Sequence, residues 1–430
     1  MAGFSLSDAS GCKRSLRIAL TVYRGNPFSG GQGVYTKHLS EELSKLGHKV
    51  EVFSGPPYPV LDLDKVQLSR LASLDLYNSE NPFRIPRARE FGDLVDVAEF
   101  AVMASGGFPE PRSFGWRLEK AIAARRNEFD ILHDNQSLSW SIARLASRGW
   151  PVIASIHHPI TVDRRLAIEN ATGMKAKFGA WRWYGFVKMQ VEVARRLEAI
   201  LTVSETSRRD LQTEMGINLQ RSKVVPIGVD TSVFRPYLNT VKEEGLIVTT
   251  ASADVPLKGL NILVEAMAEV CSLEPKAHLV IMGNPNPDSK LPERISQLGL
   301  SKAIRFAGTV SLEQMVKLYN QAQISVVPSL YEGFSLPAIE AMACGTPLVA
   351  TDGGALPEVT GIDGETVLRA RSGDPLDLAK KILKLFDSPI LRDELSVNAR
   401  ERVTNLYSWS ATAKATEASY FDFLFEKGLV

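Results

Sequence analysis

Two glutamates eight positions apart stand out in the stretch EGFSLPAIEAMACG, which covers residues 332–345. Glu332 precedes a Gly-Phe-Ser-Leu-Pro turn, and Ser335 occupies the N-cap position of the helix that this turn predicts. The backbone N–H groups of residues 333–336 would then face outward at a helix N-terminus, which favours a phosphate. A carboxylate beside a phosphate repels it, so Glu332 and Glu340 are better suited to accepting hydrogen bonds from neutral hydroxyl groups. A nucleotide sugar has this order of groups: hexose hydroxyls, a diphosphate and ribose hydroxyls.

A second interpretation of the same carboxylates needs no ligand. Glu332 would be a solvated loop acid, and Glu340 would be favoured by the helix dipole in the first turns. Lys258, in PLKGL, weighs against this interpretation. The lysine opens a predicted helix, where a cation gains nothing from the dipole, so its position indicates a further negative charge such as a diphosphate. A solvated surface lysine remains the alternative.

Histidines stand at the ends of two predicted strands. FDILHDNQ ends in His133 and Asn135, and PVIASI is followed by His157 and His158. Because parallel strands carry their carboxyl ends at one edge of a sheet, these side chains are expected at one ligand-binding edge. A histidine at a strand end is nevertheless more often structural than catalytic. His133 and His157 have no third partner with metal-ligand spacing, so the sequence predicts no metal site.

The elements that must position these residues form two series of alternating strands and helices. The first series starts at LRIALTVY, a glycine turn, a helix and KVEVFSG, and continues through FDILHDNQ, WPVIASIHHP and EAILTVSE. The second starts at GLIVTTASADVPLKGLNILVEAMAEV and continues through AHLVIMG, AIRFAGTV, AQISVVPS and TPLVATDGG. Each series predicts an α/β domain with a doubly wound parallel sheet. The two sheets would face each other across an interdomain cleft that holds the ligand.

The expected domain boundaries lie where this alternation of strands and helices is interrupted. Residues 1–15 are expected to form a flexible tail, 16–237 an N-terminal Rossmann-like domain, and 238–407 a C-terminal Rossmann-like domain. Residues 408–430 would form a helix that returns to pack on the N-terminal domain.

The composition describes an ordinary globular protein of two or three domains. Of 430 residues, 44% are hydrophobic and 23% are charged, and the net charge of +1 excludes a protein that coats nucleic acid. Cys12, Cys271 and Cys344 are scattered and lack metal-ligand spacing, so we expect reduced thiols. No apolar run approaches the roughly 20 residues that span a bilayer, and the first residues lack the apolar core of a secretory signal. We therefore expect a cytoplasmic protein.

One segment of the first half, residues 164–196, is unusually basic and aromatic. Eight basic and two acidic residues give it a net charge of +6. Five aromatic side chains are interleaved: Phe178, Trp181, Trp183, Tyr184 and Phe186. This composition is typical of a helix lying on an anionic membrane surface, here the inner face of the membrane, and it would also suit an anionic or lipid-linked ligand. Alternatively, the aromatic side chains enter the core and the charges are solvated.

The order of the motifs resembles that of the retaining glycosyltransferases of family 4 (glycosyl transferases group 1), which have the GT-B fold. The run PSLYEGFSLPAIEAMACGTPLVATDGGALPEVTG matches the E-x7-E signature of that family. GGQGVYTKHLSEELSKLGHKVEVFSG is similar to its N-terminal glycine loop and first helix. VSETSRRDL, IGVDTSVFRP, PLKGLNILVEA, HLVIMGN and RFAGTV are similar to its further landmarks, in the same order. The resemblance covers nearly the whole chain.

The resemblance implies a role for each candidate residue. Glu332 would hold hydroxyl groups of the donor sugar and Glu340 the ribose. His157 would lie near the primary hydroxyl of the transferred sugar. The catalytic set is then His157, Glu332 and Lys258. The other donor-binding residues would be Gly30, Gly31, Gly283, Val310, Glu340 and the backbone of Gly333, Phe334, Ser335 and Leu336. Acceptor contacts would come from His158, His133 and Asn135.

The chain departs from the family at an arginine that usually stands five or six residues before the lysine. Ser252 and Ala253 occupy that place. Neutralisation of the diphosphate would then rest on Lys258, on helix N-termini and on another arginine.

The resemblance also implies the reaction. A hexose would pass from a nucleotide diphosphate sugar, UDP- or GDP-hexose, to an acceptor hydroxyl with retention of anomeric configuration, without a permanently bound cofactor or metal. The N-terminal domain would take the acceptor, which would be a membrane lipid, a lipid-linked glycan or a small soluble metabolite, and the C-terminal domain the donor. A nucleotide-sugar epimerase, a phosphorylase and a non-catalytic sugar-nucleotide-binding protein are alternatives on the same architecture. EGFSLPAIE together with PLKGL disfavours the first two. The intact set of Glu332, Glu340, Lys258 and His157 disfavours the third, and the missing arginine keeps it open.

Overall fold

The computed structural model describes residues 14–26, 31–78, 81–250, 256–285 and 289–430. Gly30, Ser252, Ala253 and most of the expected N-terminal tail lie outside the described residues. The strands are β1 (Arg17–Val22), β2 (Lys49–Ser54), β3 (Gln67–Arg70), β4 (Ile131–Asn135), β5 (Val152–Ser155), β6 (Ala199–Thr202), β7 (Ser222–Val224), β8 (Leu246–Thr250), β9 (His278–Met282), β10 (Ile304–Gly308), β11 (Ile324–Val327), β12 (Leu348–Thr351) and β13 (Leu368–Ala370). The helices are α1 (Gln32–Lys45), α2 (Leu94–Ala104), α3 (Glu110–Ile122), α4 (Trp140–Ser147), α5 (Ile160–Asn170), α6 (Met174–Trp183), α7 (Val187–Arg196), α8 (Glu205–Met215), α9 (Leu260–Leu273), α10 (Leu291–Gln297), α11 (Leu312–Gln321), α12 (Leu336–Ala343), α13 (Leu356–Thr360), α14 (Pro375–Asp387), α15 (Pro389–Leu406) and α16 (Trp409–Glu426).

Seven strands form the first sheet, in the order β3-β2-β1-β4-β5-β6-β7. β1 pairs in parallel with β2 and β4, β2 with β3, and β6 with β7. β1 reads RIALTV, and all but its first residue are buried, as expected for a parallel strand covered on both faces. The strand order reverses between β1 and β4, so the ends of these strands mark the binding edge of the sheet.

Six parallel strands form the second sheet, in the order β10-β9-β8-β11-β12-β13. Successive residues of a strand point to opposite faces, and two separate hydrophobic clusters result. Ile247 belongs to the cluster that includes α9 and α14, and Val248 to the cluster that includes α12. The strand order reverses between β8 and β11, which brings the loops after these two strands together. The prediction of two doubly wound α/β sheets is therefore confirmed.

Contacts along the chain define two compact units. The first consists of Met1–Ala154, Ala171–Glu198 and Leu424–Val430, and the second of Ser155–Asn170 and Ala199–Phe423. These limits differ from the domain boundaries expected after positions 237 and 407, which stay a prediction.

The C-terminal helix α16 packs on a segment that begins in β7. Thr412 Oγ1 donates to the carbonyl oxygen of Pro226 at 2.9 Å, and the N–H of Val229 donates to the carbonyl oxygen of Tyr407 at 2.7 Å. A Cβ on Gly228 would lie 2.5 Å from the backbone nitrogen of Trp409, so this approach requires glycine. These contacts join the C-terminal helix to residues expected at the end of the N-terminal domain.

The basic and aromatic segment 164–196 forms parts of three helices, α5, α6 and α7, instead of one continuous helix. Val187, Met189 and Val193 of α7 are buried, whereas no residue of α6 is buried. Among the helices built from the described residues, none is both long and apolar enough to cross a membrane.

Candidate active site

Glu332 and Lys258 form an ion pair beyond the ends of β11 and β8. Glu332 is only 7% exposed. Lys258 Nζ donates to Glu332 Oε1 at 2.8 Å, and Ser329 Oγ donates to the same oxygen at 2.7 Å. The positive charge of Lys258, for which the sequence predicts a diphosphate partner, is thus paired with a carboxylate in this structure. Two residues of the predicted catalytic set lie in direct contact.

Two close backbone approaches position this pair. Gly259 has a φ of +67°, and a Cβ there would lie 2.0 Å from the carbonyl oxygen of Pro328. The N–H of Leu330 donates to the carbonyl oxygen of Leu257 at 2.8 Å. The turn after β8 therefore lies directly against the turn after β11, at the point where the strand order of the sheet reverses. Only glycine fits at position 259.

The carbonyl group of Gly333 is held by two serine hydroxyl groups. Ser204 Oγ donates to it at 2.7 Å and Ser207 Oγ at 2.9 Å. Ser204 is also the N-cap of α8, because its Oγ accepts a hydrogen bond from the N–H of Ser207. A Cβ on Gly333 would lie 3.2 Å from Ser207 Oγ and 3.9 Å from the carbonyl oxygen of His157. The loop that carries Glu332 and the strand end that carries His157 are therefore neighbours.

Glu358 and Tyr331 make further contacts with α8. Both carboxylate oxygens of Glu358 accept hydrogen bonds from the N–H of Glu205, at 2.9 and 3.0 Å, where the helix dipole stabilises a negative charge. The hydroxyl of Tyr331 donates to a carboxylate oxygen of Asp210. Sequence reasoning missed these contacts and the serine pair. The N-cap pattern in VSETS was the signal that the sequence offered. It could not identify the partners, because they lie more than a hundred residues away along the chain.

Ser335 is the N-cap residue of α12, which confirms its expected position, but its hydroxyl caps no N–H of the helix. Its φ of +92° lies in a left-handed region that serine rarely adopts. The residue is 4% exposed, and its Oγ has no hydrogen-bond partner within the part of the chain that is described. A strained backbone and an unsatisfied buried hydroxyl beside a helix N-terminus are features of ligand-binding sites.

Glu340 lies further along α12. The hydroxyl of Tyr319 is 3.4 Å from Glu340 Oε2, and burial raises the pKa of this carboxyl group to about 7. Both of its protonation states are therefore accessible near neutral pH. The Phe334 ring packs edge-on against Tyr407 at 5.6 Å, and Leu336 packs against the same core cluster. Phe334 and Leu336 can therefore offer a ligand mainly their backbone, as the resemblance implies.

His157 and His158 have different environments. Burial lowers the pKa of the His157 imidazole to about 4, so this ring is neutral at pH 7. A neutral imidazole can exchange hydrogen bonds with hydroxyl groups without adding a charge. His158 Nε2 lies 3.3 Å from Asp163 Oδ1 in the first turn of α5. His157 is thus suited to a hydroxyl ligand, whereas His158 contacts a local carboxylate.

In the first unit, Gly31, His133 and Asn135 lie near the ends of β1 and β4. Gly31 is the N-cap of α1 with a φ of +71°, and open space surrounds the position of its missing Cβ. Asn135 Nδ2 donates to the carbonyl oxygen of Gln32 at 3.1 Å and to Thr36 Oγ1 at 3.0 Å, which fastens the start of α1. His133 and Asn135 are both fully buried. Their acceptor roles stay a prediction.

Gly283 and Val310 follow β9 and β10. Gly283 forms an isolated β-bridge with Gly308, and Val310 is partly buried against the core. Their donor-binding roles stay predictions. No three histidine, cysteine, aspartate or glutamate side chains of the described residues converge as metal ligands.

Comparison with protein families covers most of the chain. Residues 29–233 match the family model described as Glycosyltransferase Family 4, and residues 238–402 match Glycosyl transferases group 1. The chain is 42% identical over 405 residues to the MMP alpha-(1->4)-mannosyltransferase of Mycolicibacterium hassiacum, covering 94% of this chain and 98% of that protein. It is 31% identical to the D-inositol 3-phosphate glycosyltransferase of Acidothermus cellulolyticus, covering 96% of this chain and 91% of that protein.

Solved structures share the fold. Sucrose-phosphate synthase from Thermosynechococcus elongatus aligns with a TM-score of 0.70 at 23% identity, over 96% of this chain and all of that one. The Anabaena protein HepE, solved with UDP and glucose, aligns with a TM-score of 0.67 at 16% identity, over 95% of this chain and all of that one. The two parallel sheets and these alignments define the GT-B fold, and the family models define a glycosyltransferase. Within that class, the chain belongs to glycosyl transferases group 1, as its motifs predict.

Proposed function

We propose that this glycosyltransferase moves a hexose from a nucleotide diphosphate sugar to an acceptor hydroxyl with retention of anomeric configuration. The observation that carries the proposal is the contact between Glu332 and Lys258 beside the N-terminus of α12. Both hydrogen bonds that Glu332 accepts from described side chains fall on Oε1. Its second oxygen, Oε2, is then available to accept a hydrogen bond from a hydroxyl group of the donor sugar.

The diphosphate of the donor binds, in this proposal, between Lys258 and the N-terminus of α12. Lys258 contributes a positive charge, Ser335 an unsatisfied hydroxyl, and the first N–H groups of α12 a fixed dipole. Negative charge develops on the phosphate as the nucleoside diphosphate departs, and groups that are already in place stabilise it without reorganisation. The contact with Lys258 partly compensates the charge of Glu332, which reduces its repulsion of the diphosphate.

Retention follows when the acceptor attacks the face from which the diphosphate leaves, and the leaving phosphate takes the acceptor proton. The covalent route used by retaining glycosidases needs a carboxylate nucleophile at the anomeric carbon. Glu332 is held by Lys258 and Ser329, which weakens it as a nucleophile. The protein then contributes positioning and charge stabilisation, with the neutral ring of His157 as a hydrogen-bond partner for a sugar hydroxyl. The reaction proceeds without a metal ion.

The donor in this proposal is a UDP- or GDP-hexose, and the acceptor is a hydroxyl of a small polar or lipid-linked molecule. The named activity of the Mycolicibacterium relative supports a hexose as the transferred group. The name of the Acidothermus relative supports a polyol or sugar hydroxyl as the acceptor.

A panel of UDP-, GDP- and ADP-hexoses tests the proposal. The true donor should raise the unfolding temperature by mass action, and it should be transferred to a sugar acceptor or slowly hydrolysed. Glu332→Gln should lower kcat by about a hundredfold or more, as expected for the loss of one positioned polar contact in the transition state. The matched control is Glu365→Gln, which changes an exposed glutamate and should behave like the wild type. Turnover of Glu332→Gln close to that of the control would reject the assignment of the site.

A second function is favoured by one specific feature, the absence of the family arginine at Ser252 and Ala253. A sugar-nucleotide-binding protein without activity would show a donor-dependent thermal shift with neither transfer nor hydrolysis for any member of the panel. This alternative is excluded if the wild type forms a transfer or hydrolysis product and Glu332→Gln does not.

A further inference from the structure

Helix α6 has an unpartnered apolar face in the first unit. Met174, Phe178 and Trp181 are 85%, 63% and 52% exposed. Their spacing of four and three residues places them on one side of the helix. The rings of Phe178 and Trp181 stack at 5.7 Å, so they present a single aromatic surface to solvent.

Contacts at the C-terminal end of α6 fix which side of the helix faces outward. The Trp183 ring packs against the rings of Tyr77 and Phe108, with centroids 5.6 and 5.3 Å apart. Trp183 lies on the side of α6 roughly opposite to Phe178 and Trp181. Since the Trp183 side is anchored by these ring contacts, the exposure of Phe178 and Trp181 follows from packing. The sequence-based alternative, in which the aromatic side chains enter the core, therefore holds for Phe186, which is buried. Trp183 is half-buried, and Phe178 and Trp181 are exposed.

A second exposed segment begins at the C-terminal end of α6. The Phe83 ring lies 6.1 Å from the Trp183 ring, which places Phe83 beside this end of the helix. Phe83 and Ile85 in this segment are 56% and 82% exposed. Sequence reasoning did not single out this segment, because only the fold brings it next to α6.

The surface formed by residues 81–90 and 174–183, which we name the basic apolar patch, carries a marked charge excess. These residues include six basic side chains and one acidic side chain, Glu90. The basic residues are Arg84, Arg87, Arg89, Lys175, Lys177 and Arg182. Four of them, on both segments, are exposed, whereas Arg84 is paired with Glu90 and Arg182 with Ser105.

We propose that the basic apolar patch docks the protein on an anionic lipid surface. Bulky apolar and aromatic side chains flanked by lysine and arginine are the features by which a helix lies in a membrane interface. The apolar rings enter the boundary of the acyl chains, and the basic side chains contact anionic headgroups. A second copy of the chain is the main competing occupant. In a two-fold dimer the patch would face itself, and its positive charges would repel one another. The charge therefore favours lipid.

This proposal stands independently of the donor and of the transfer reaction. The test uses the full chain and sedimentation with two kinds of vesicle, one of phosphatidylcholine alone and one of phosphatidylcholine and phosphatidylglycerol in equal amounts. The protein should sediment with the anionic vesicles at low salt and be released as salt is added. Sedimentation with neither vesicle, or to the same extent with both and without a salt effect, would overturn the proposal.

Two patch variants and two matched controls assign the binding to specific residues. Phe178→Ser/Trp181→Ser removes the rings, and Lys175→Glu/Lys177→Glu reverses the charge. Each should lower the partition coefficient by about tenfold or more. The controls are Ile390→Ser/Val397→Ser on α15 and Lys380→Glu/Lys384→Glu on α14. They change exposed aliphatic residues and exposed lysines outside the patch and should bind like the wild type.

Two further measurements separate the alternatives. All four variants should keep the unfolding temperature of the wild type and its shift with the donor, because the altered side chains are exposed and lie outside the donor site. Binding that the patch variants and the controls retain equally would overturn the proposal. The proposal would also be overturned if light scattering showed that the wild type is a dimer and the patch variants are monomers, and if the wild type bound no vesicles. That result would assign the patch to a second copy of the chain.

Discussion

Lys258 Nζ lies 2.8 Å from Glu332 Oε1, so two residues that are 74 positions apart share one charge contact at the reversal point of the second sheet. Glu332 is the more deeply buried partner, and its side chain is 9% exposed against 32% for Lys258. Removal of the lysine would leave a carboxylate in a poorly hydrated place. The pair therefore links the stability of the second sheet to the donor site that we propose.

Lys258→Met should destabilise the fold through this unpaired carboxylate. We expect a loss of about 1–3 kcal/mol in the free energy of unfolding at pH 7, because a buried acceptor loses its charged partner. The double variant Lys258→Met/Glu332→Gln should lose less than the sum of the two single variants, as a double-mutant cycle in urea would show. Lys276→Met, which breaks the exposed pair with Glu244, should cost less than about 1 kcal/mol. If the losses of unfolding free energy in the two single variants add up to the loss in the double variant, Lys258 and Glu332 do not interact in solution.

Ser204→Ala/Ser207→Ala should loosen the loop that carries Glu332. The two hydroxyl groups hold the Gly333 carbonyl at 2.7 and 2.9 Å, and each hydrogen bond is worth about 1 kcal/mol. We expect the KM for the donor to rise by about tenfold, measured by initial rates over a range of donor concentrations. Ser272→Ala, which removes an exposed hydroxyl from α9, is the control. An unchanged KM in the double variant would show that the loop keeps its geometry without the serines.

Glu340→Gln should change how stability depends on pH. Burial raises the pKa of Glu340 from an ordinary value of 4.5 to about 7. Between these values the unfolded chain has lost the proton that the folded chain retains, so stability falls as pH rises from about 4.5 to about 7. Glutamine removes this contribution, and the variant should gain about 3 kcal/mol relative to the wild type across this range. Urea unfolding at a series of pH values measures the difference. Parallel curves for the two proteins would show that Glu340 titrates normally in the folded state.

Gly354→Ala and Gly364→Ala form a matched pair that probes crowding behind Glu332. Both glycines have a positive φ, of +62° and +85°, so alanine costs about 1–2 kcal/mol at each position. At position 354 a Cβ would also lie 2.3 Å from the carbonyl oxygen of Glu332, whereas at position 364 no atom lies within 4 Å. Gly354→Ala should therefore lose more stability and also donor affinity, measured by thermal unfolding with and without the donor. Equal losses for the two variants would mean that the backbone next to Glu332 moves aside easily.

The sheets could be predicted from the sequence because strands buried on both faces must be continuous apolar runs. LRIALTVY and AHLVIMG are such runs, and they form β1 and β9. The candidate residues could be located for a related reason. Glu332, Lys258 and His157 each follow a strand, and the carboxyl ends of parallel strands form the binding edge of a doubly wound sheet.

Contacts between distant segments could not be predicted in the same way. The pairing of Lys258 with Glu332 depends on β8 lying next to β11, an order that the packing of six strands decides. The N-cap position of Ser335 follows from local residue types, but its positive φ depends on how the whole loop is held. Asn135 shows a second limit, because a polar residue at a strand end can bind a ligand, fasten a helix or do both. Its amide fastens α1, and its acceptor role stays a prediction.

At Ser335, which has a positive φ, selection for stability and selection for donor binding favour different residues. Glycine there would relieve the backbone strain and remove the unsatisfied hydroxyl, so directed evolution for heat resistance alone should replace serine with glycine. Selection for growth on scarce donor should restore the serine if its hydroxyl binds the donor phosphate as proposed. Position 335 is thus where the durability of this enzyme and its efficiency at low substrate concentration are traded against each other.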